Sequence, residues 1–455
     1  MNKFFFNLFS ETKNFYFFIV ILNVSLVIDV AICTSPEFIS ENIKSPFGLF
    51  GFTLITVISI YGQIYLTKFT EKNDKETLFK SKYLFILSKT NKIACYILIL
   101  NLIVVTLSII LFSTFSIINL LIANNISCFI GSFILGLFGL KFILWFKERK
   151  NSYNLLFYGL GFIFFSFCNF IIFMSDTFLL IEKPLLITPN MPIIYPDIDD
   201  NIFDILTNYW SYLQTISFIM LLIASYLLLY HYTEKINKYK LIFGLVLVFI
   251  VYMSTNLNTF HIMEISIHEE DLFYYYIFQS LINTLGGIIF GYSFWKVANK
   301  LDKNNPIRRF LIISANGIIL IYTVTQATVI ATAFPPYGIS SLSFIIVSIY
   351  LLNFGLYASA ISLSNDIQLR GKIRSLTIKN TSLLGNIGQA HMTGELQKAI
   401  DNVKHIVKKE EQELEEKTGI ESSFTEEKVQ DYMEQVIQEV MSAKMKKNNP
   451  NIYRC

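Results

Sequence analysis

Ten stretches of about twenty residues, each nearly free of charge, decide most of what this chain can fold into. They lie near 14–34, 47–67, 93–113, 126–146, 153–175, 209–231, 241–262, 273–297, 310–333 and 339–363. About 20 apolar residues in a helix cross a hydrocarbon layer roughly 30 Å thick. In lipid the backbone must satisfy its own hydrogen bonds, so each stretch reads as a helix. The whole chain is 53% hydrophobic and 16% charged, with a mean hydropathy of +0.50. A soluble domain is about one-quarter charged, and that deficit excludes one. The predicted fold class is all-α. A polytopic membrane bundle of about ten transmembrane helices occupies 1–363, and a helical tail occupies 364–455.

Lys and Arg in the connections set the orientation. With the N-terminus inside, the inner segments hold 20 Lys and Arg residues and the outer ones hold two, Lys44 and Lys183. Both termini are therefore expected to be cytoplasmic. The first stretch contains Asp29, lacks a small-x-small cleavage site and is longer than a signal-peptide core, so it reads as an uncleaved span. The five cysteines show no CxxC spacing, and they read better as small apolar packing residues than as a disulfide framework.

In this topology the outer connections carry twelve acids, Asp176 among them, against those two lysines. A field of that sign concentrates cations. Within it lies NTFHIMEISIHEEDL, residues 258–272, with two of the five histidines. His261, Glu264 and His268 follow i, i+3, i+7 spacing and share a helix face. Two imidazoles and a carboxylate suit a divalent cation such as Zn²⁺. The competing reading is a helix end turning polar at the interface. The connection from 176 to 208 carries four prolines and is expected to be an extended acidic lid without ladder pairing.

Asp29 is the second candidate. An ionisable group inside a span is costly and suggests function, although its place near the outer end of span one lets it reach the interface. Lys141, near the inner end of span four, is expected to snorkel. Thr323, Thr325, Gln326 and Thr328, with Gln279 and Asn283, read as interhelical hydrogen-bonding groups. Gly287 with Gly291, and Ala327 with Ala331, form small-xxx-small pairs suited to close packing.

The tail begins basic, with Arg370, Lys372 and Arg374 beside the membrane surface. Further on, Val429, Tyr432, Met433, Val436, Ile437, Val440 and Met441 form an amphipathic stripe. A single helix of this length is marginal in water, so the stripe is expected to meet the weaker stripe Leu396, Ile400, Val403 and Val407 of the preceding 396–418 helix, a second copy of the tail, or a protein partner. His391, in QAHMTGELQKAI, lacks the following proline of a phospho-accepting histidine, and the tail is too short for a nucleotide-binding catalytic domain. No nucleophilic triad, Walker loop, CxxC pair or zinc-protease motif occurs. The expectation is a non-enzyme whose environment is the lipid bilayer and which has no nucleic-acid partner.

The run TAFPPYGISSLSFIIVSIYLLNFGLYASAISLSNDIQLRGKIR, followed by NTSLLGNIGQAHM, resembles a group of multipass membrane proteins of ammonia-oxidising archaea. The resemblance covers mainly 330–440. It implies an archaeal cell membrane and brings no assigned activity, cofactor or catalytic residue. Two functional readings follow from the residues. One is a receptor-like protein or membrane-complex subunit acting through the tail. The other is a secondary transporter for a cation or small solute with a regulatory tail. Ten spans divide into five and five, as in inverted-repeat transporters, but spans one and six lack the Gly or Pro breaks that usually mark a transport site.

Overall fold

The computed structural model describes residues 12–33, 46–73, 81–148, 152–181, 186–189, 200–232, 238–256, 269–301, 305–327, 334–365 and residue 391. Ten helices stand among them: α1 Thr12–Cys33, α2 Pro46–Asn73, α3 Lys82–Phe112, α4 Ile117–Glu148, α5 Tyr153–Ile181, α6 Asp200–Tyr232, α7 Lys238–Asn256, α8 Glu269–Ala298, α9 Pro306–Val324 and α10 Ile339–Asn365. Each coincides with one of the apolar stretches. Among the described residues, seven are long and apolar enough to cross a membrane, namely α2–α6, α9 and α10. The protein is therefore membrane-embedded. Alternate helix ends gather Lys and Arg, and these are called the basic end below. The opposite end is the acidic end.

α10 is the axis of the bundle. Every residue of its most apolar 18-residue window is buried. It packs against α1, α2, α3, α4 and α9. The closest approach is to α9. A Cβ added at Gly317 would lie 2.5 Å from the Leu352 nitrogen, and one at Gly355 would overlap Ser314 Oγ and the Phe310 carbonyl. α9 and α10 therefore run antiparallel at backbone contact, as small residues allow in lipid. The same logic joins α8 to α9. A Cβ at Gly287 would lie 2.6 Å from Tyr322 Cβ, and one at Gly291 2.8 Å from the Ala315 carbonyl. The first predicted small-residue pair does pack as expected.

α10 is also unusually polar for an axial helix. Ser340, Ser341, Ser343, Ser348, Asn353 and Ser359 are all fully buried. Hydrogen bonds run down its contact with α2: Gln63 Nε2 donates to Ser343 Oγ at 2.7 Å, Ser59 Oγ to the Ser340 carbonyl at 3.4 Å, and Tyr350 OH to Thr70 Oγ1 at 3.1 Å. Such bonds fix the register of two helices, which greasy contacts alone leave free to slide.

Several expectations are corrected. α9 stops at Val324 rather than near 333. Thr325 closes it, its N–H and its hydroxyl both donating to the Ile321 carbonyl, at 3.1 and 2.8 Å. From Arg309 to Val324 is about 22 Å of helix, less than the roughly 30 Å hydrocarbon core. The connection after α5 is not free of pairing: β1, Phe115–Ser116, and β2, Leu186–Ile187, form a short antiparallel pair at the acidic end. Leu186 and Ile187 lie between prolines 184 and 189, so the ladder uses two of the four intervening residues, all of which carry N–H groups. The segment 68–92, expected as an inner loop, is helical at both ends, and Lys92 on α3 pairs with Glu71 on α2 at 3.2 Å.

Candidate functional site

The acidic end of α10 needs hydrogen-bond acceptors, because the first N–H groups of a helix have none. Gly338 holds the N-cap position and has no side chain to supply one. Asp29 on α1 supplies it instead. Its Oδ1 accepts from the Gly338 N–H at 2.9 Å, and its Oδ2 accepts from the Ser341 N–H at 2.9 Å and the Ser341 hydroxyl at 2.7 Å. Gly338 has φ +96°, and a Cβ there would overlap Cys33 Sγ, one turn beyond Asp29 on α1. Both the positive φ and the close approach therefore require glycine. Tyr337 completes the corner, donating to the Gly48 carbonyl of α2 at 2.7 Å. Asp29 is fully buried, its carboxyl enclosed by protein. The position is set by its role as the cap of a helix distant in sequence.

At the basic end of α10 a second polar group forms around Tyr357. Lys141 does not snorkel outward. Its ammonium lies 3.8 Å from the Tyr357 ring centre and 4.4 Å from that of Tyr83. Aromatic faces attract a cation more strongly where water is scarce, which explains why the lysine turns inward. Trp145 stacks on Tyr357 at 6.1 Å, and Tyr83 OH donates to Asn353 Oδ1 at 3.2 Å. His391 joins them. Its Nε2 lies 3.3 Å from Tyr357 OH, with the two rings edge to face at 5.5 Å. This is the position of an ordinary packing histidine. What the sequence did not show is that it packs on the axial helix, 34 residues earlier in the chain.

A third cluster lies within the bundle. Asn283 Nδ2 on α8 donates to Gln326 Oε1, just past the end of α9, at 2.8 Å. This is one of the predicted interhelical bonds, whereas Thr323 and Thr325 bond carbonyls of their own helix. Asn283 lies about 20 Å along α8 from Lys296. Ser280 and Thr284 share its helix face. Ser280 Oγ, Thr284 Oγ1, Asn283 Oδ1 and Gln326 Nε2 are buried without hydrogen-bond partners among the described residues. Buried polar atoms are normally paired, so this face can accept a polar guest or water.

Asp176 was expected among the outer loop acids. It lies on α5 instead, buried, and its Oδ2 accepts from Asn124 Nδ2 at 2.6 Å. The Asn124 Oδ1 accepts from Cys128 Sγ at 3.3 Å. The only sequence signal for this contact is an acid beside a long apolar run, which looks the same as a loop acid. Cys33, Cys95, Cys128 and Cys168 are buried and form no disulfide among the described residues, in line with packing roles. His261, Glu264 and His268, and the stripe from Val429 to Met441, lie outside the described residues. Among the described residues no three His, Cys, Asp or Glu side chains converge as a metal site requires. No protein-family model, curated protein or solved structure matches the chain.

Proposed function

We propose that this is a non-catalytic, multi-pass cell-membrane protein with both termini cytoplasmic. In this reading it is receptor-like, or a subunit of a membrane complex, and it acts through its helical tail. The observation that carries the reading is α10. It is buried along its length, capped at the acidic end by Asp29, and met at the basic end by His391 of the tail. A rigid element that touches a polar site at one end and the tail at the other can couple the two when its packing has two arrangements. The acidic outer face would receive a cation or a partner, with His261, Glu264 and His268 as the expected ligands of a divalent ion.

A second reading, a secondary transporter for a cation or small solute with a regulatory tail, is favoured by the third cluster. A helix that stops inside the hydrocarbon zone, beside unpartnered amide and hydroxyl groups, resembles the sites that discontinuous helices build. One experiment separates the two. The full-length protein is purified from its native membrane and, in parallel, reconstituted into vesicles for uptake of monovalent and divalent cations. The first reading expects a stoichiometric protein companion that is lost in Val436→Asp, and no uptake. Uptake that is abolished by Gln326→Leu, with no companion, would replace it with the second.

A further inference from the structure

A groove of about 510 Å³ runs between α8 and α9 on the side of the bundle. One wall is Ile288, Gly291, Tyr292 and Trp295 of α8 with Asn299 just past its end, and the α9 wall runs from Arg308 to Ile319. Ile288, Tyr292 and Trp295 are exposed, so the groove opens to the bilayer. Each wall spans eleven residue steps, about 16 Å. That is about half of a hydrocarbon core roughly 30 Å thick, or one leaflet. Gly291 is what keeps the groove deep, because α8 and α9 touch backbone to backbone behind it.

The two ends of the groove differ. The deep end is aliphatic, with Ile288 and Ile319. The mouth lies at the basic end, where Arg308 and Asn299 face each other, Nη2 to Oδ1 at 3.5 Å. The Arg308 Nε is buried and has no hydrogen-bond partner among the described residues. Lys296 on α8 and Lys300 just beyond it lie at the same end, Arg309 sits beside Arg308, and the first turn of α9 has no acid. A guanidinium with a buried, unpaired N–H is suited to bidentate contact with a phosphate oxygen pair. Tyr292 and Trp295 add the aromatic pair expected at headgroup level.

We infer that this groove binds one anionic phospholipid of the leaflet at the basic end, its chain lying between α8 and α9 and its phosphate on Arg308. The groove matches that occupant in length, polarity gradient and charge. The site depends only on the helices lying in a bilayer and on neither functional reading above.

The test uses the full-length protein in nanodiscs or mild detergent, with phosphatidylglycerol and phosphatidylcholine as probes and bound lipid counted by native mass spectrometry. The wild type should retain phosphatidylglycerol in preference to phosphatidylcholine. Arg308→Gln should reduce that preference about tenfold, the ratio expected for one hydrogen-bonded contact to a charged group. Arg309→Gln, an exposed charge at the same end, should leave it within twofold. Asn316→Phe, which places a ring in the groove, should release the lipid while the protein stays monodisperse. Equal losses in Arg308→Gln and Arg309→Gln would mean diffuse attraction to the basic end and overturn the site. Lipid retained in Asn316→Phe would place it elsewhere and overturn it too. A dimer that Asn316→Phe splits, with no lipid preference, would assign the groove to a second copy of the chain instead.

Discussion

Replacing Asp29 with alanine should destabilise the bundle far more than any surface charge change. The wild-type carboxyl accepts from the Gly338 N–H, the Ser341 N–H and the Ser341 hydroxyl. The hydroxyl has an alternative acceptor, the Leu26 carbonyl at 3.4 Å. The two backbone donors have none, and Asp29 is fully buried, so water does not replace it. A buried donor left unsatisfied costs about 1–3 kcal/mol. Two of them give about 2–6 kcal/mol for Asp29→Ala. Asp29→Asn keeps one acceptor oxygen but turns an NH₂ toward a donor, so about half of that loss is expected. The surface pair between Lys92 and Glu71, whose side chains are 44% and 29% exposed, serves as a control. Glu71→Gln should cost about 0–1 kcal/mol. Equilibrium unfolding of the full-length protein in mixed micelles, titrated with a denaturing detergent, gives all three values. The expected order is Glu71→Gln mildest, then Asp29→Asn, then Asp29→Ala. If Asp29→Ala unfolds with the wild type, or Asn is worse than Ala, Asp29 is not the cap of α10. Its burial would then call for a bound ligand.

The charge asymmetry predicts that a reporter fused after Lys150 or Arg309 is cytoplasmic and one at Asp199 is external, and an internal Asp199 would reverse the topology. If His261, Glu264 and His268 hold a divalent ion, elemental analysis of the purified protein should find it, and His261→Ala and His268→Ala should lose it. Equal, negligible metal in all three proteins would leave only a solvated helix end. Burying a large apolar side chain contributes about 1.5–3 kcal/mol, so Val436→Asp should disrupt association or helicity of the tail, whereas Gln435→Ala should not. Circular dichroism and sedimentation of the full-length protein in detergent, beside a variant truncated after Asn365, would read both.

The sequence by itself determined that this is a membrane protein and where its helices run. A run of some twenty uncharged apolar residues has only one economical conformation in lipid, and that holds whatever its neighbours are. Asn305 caps α9 ahead of Pro306, its Oδ1 accepting from the Ile307 N–H at 2.9 Å. Gly287 and Gly291 announced a close contact because their spacing repeats on one helix face. What only the tertiary structure decided is which helix is enclosed and what each polar residue faces. α10 and α3 are both apolar, yet α10 is fully enclosed, whereas α3 is 33% buried along its most apolar window. Ser340, Ser341, Ser343, Ser348 and Ser359 of α10 are enclosed by protein, since lipid offers them no partner. Asp29, Asp176 and Lys141 looked like interface residues because hydropathy measures distance from the membrane surface along a helix. It carries no information about rotation around that helix. Asp29 meets Gly338 and Ser341 about 310 residues away, Asp176 meets Asn124, and Lys141 meets Tyr83 and Tyr357. Those partners are set by how helices pack across the bundle, and one-dimensional spacing does not encode contacts between segments so far apart.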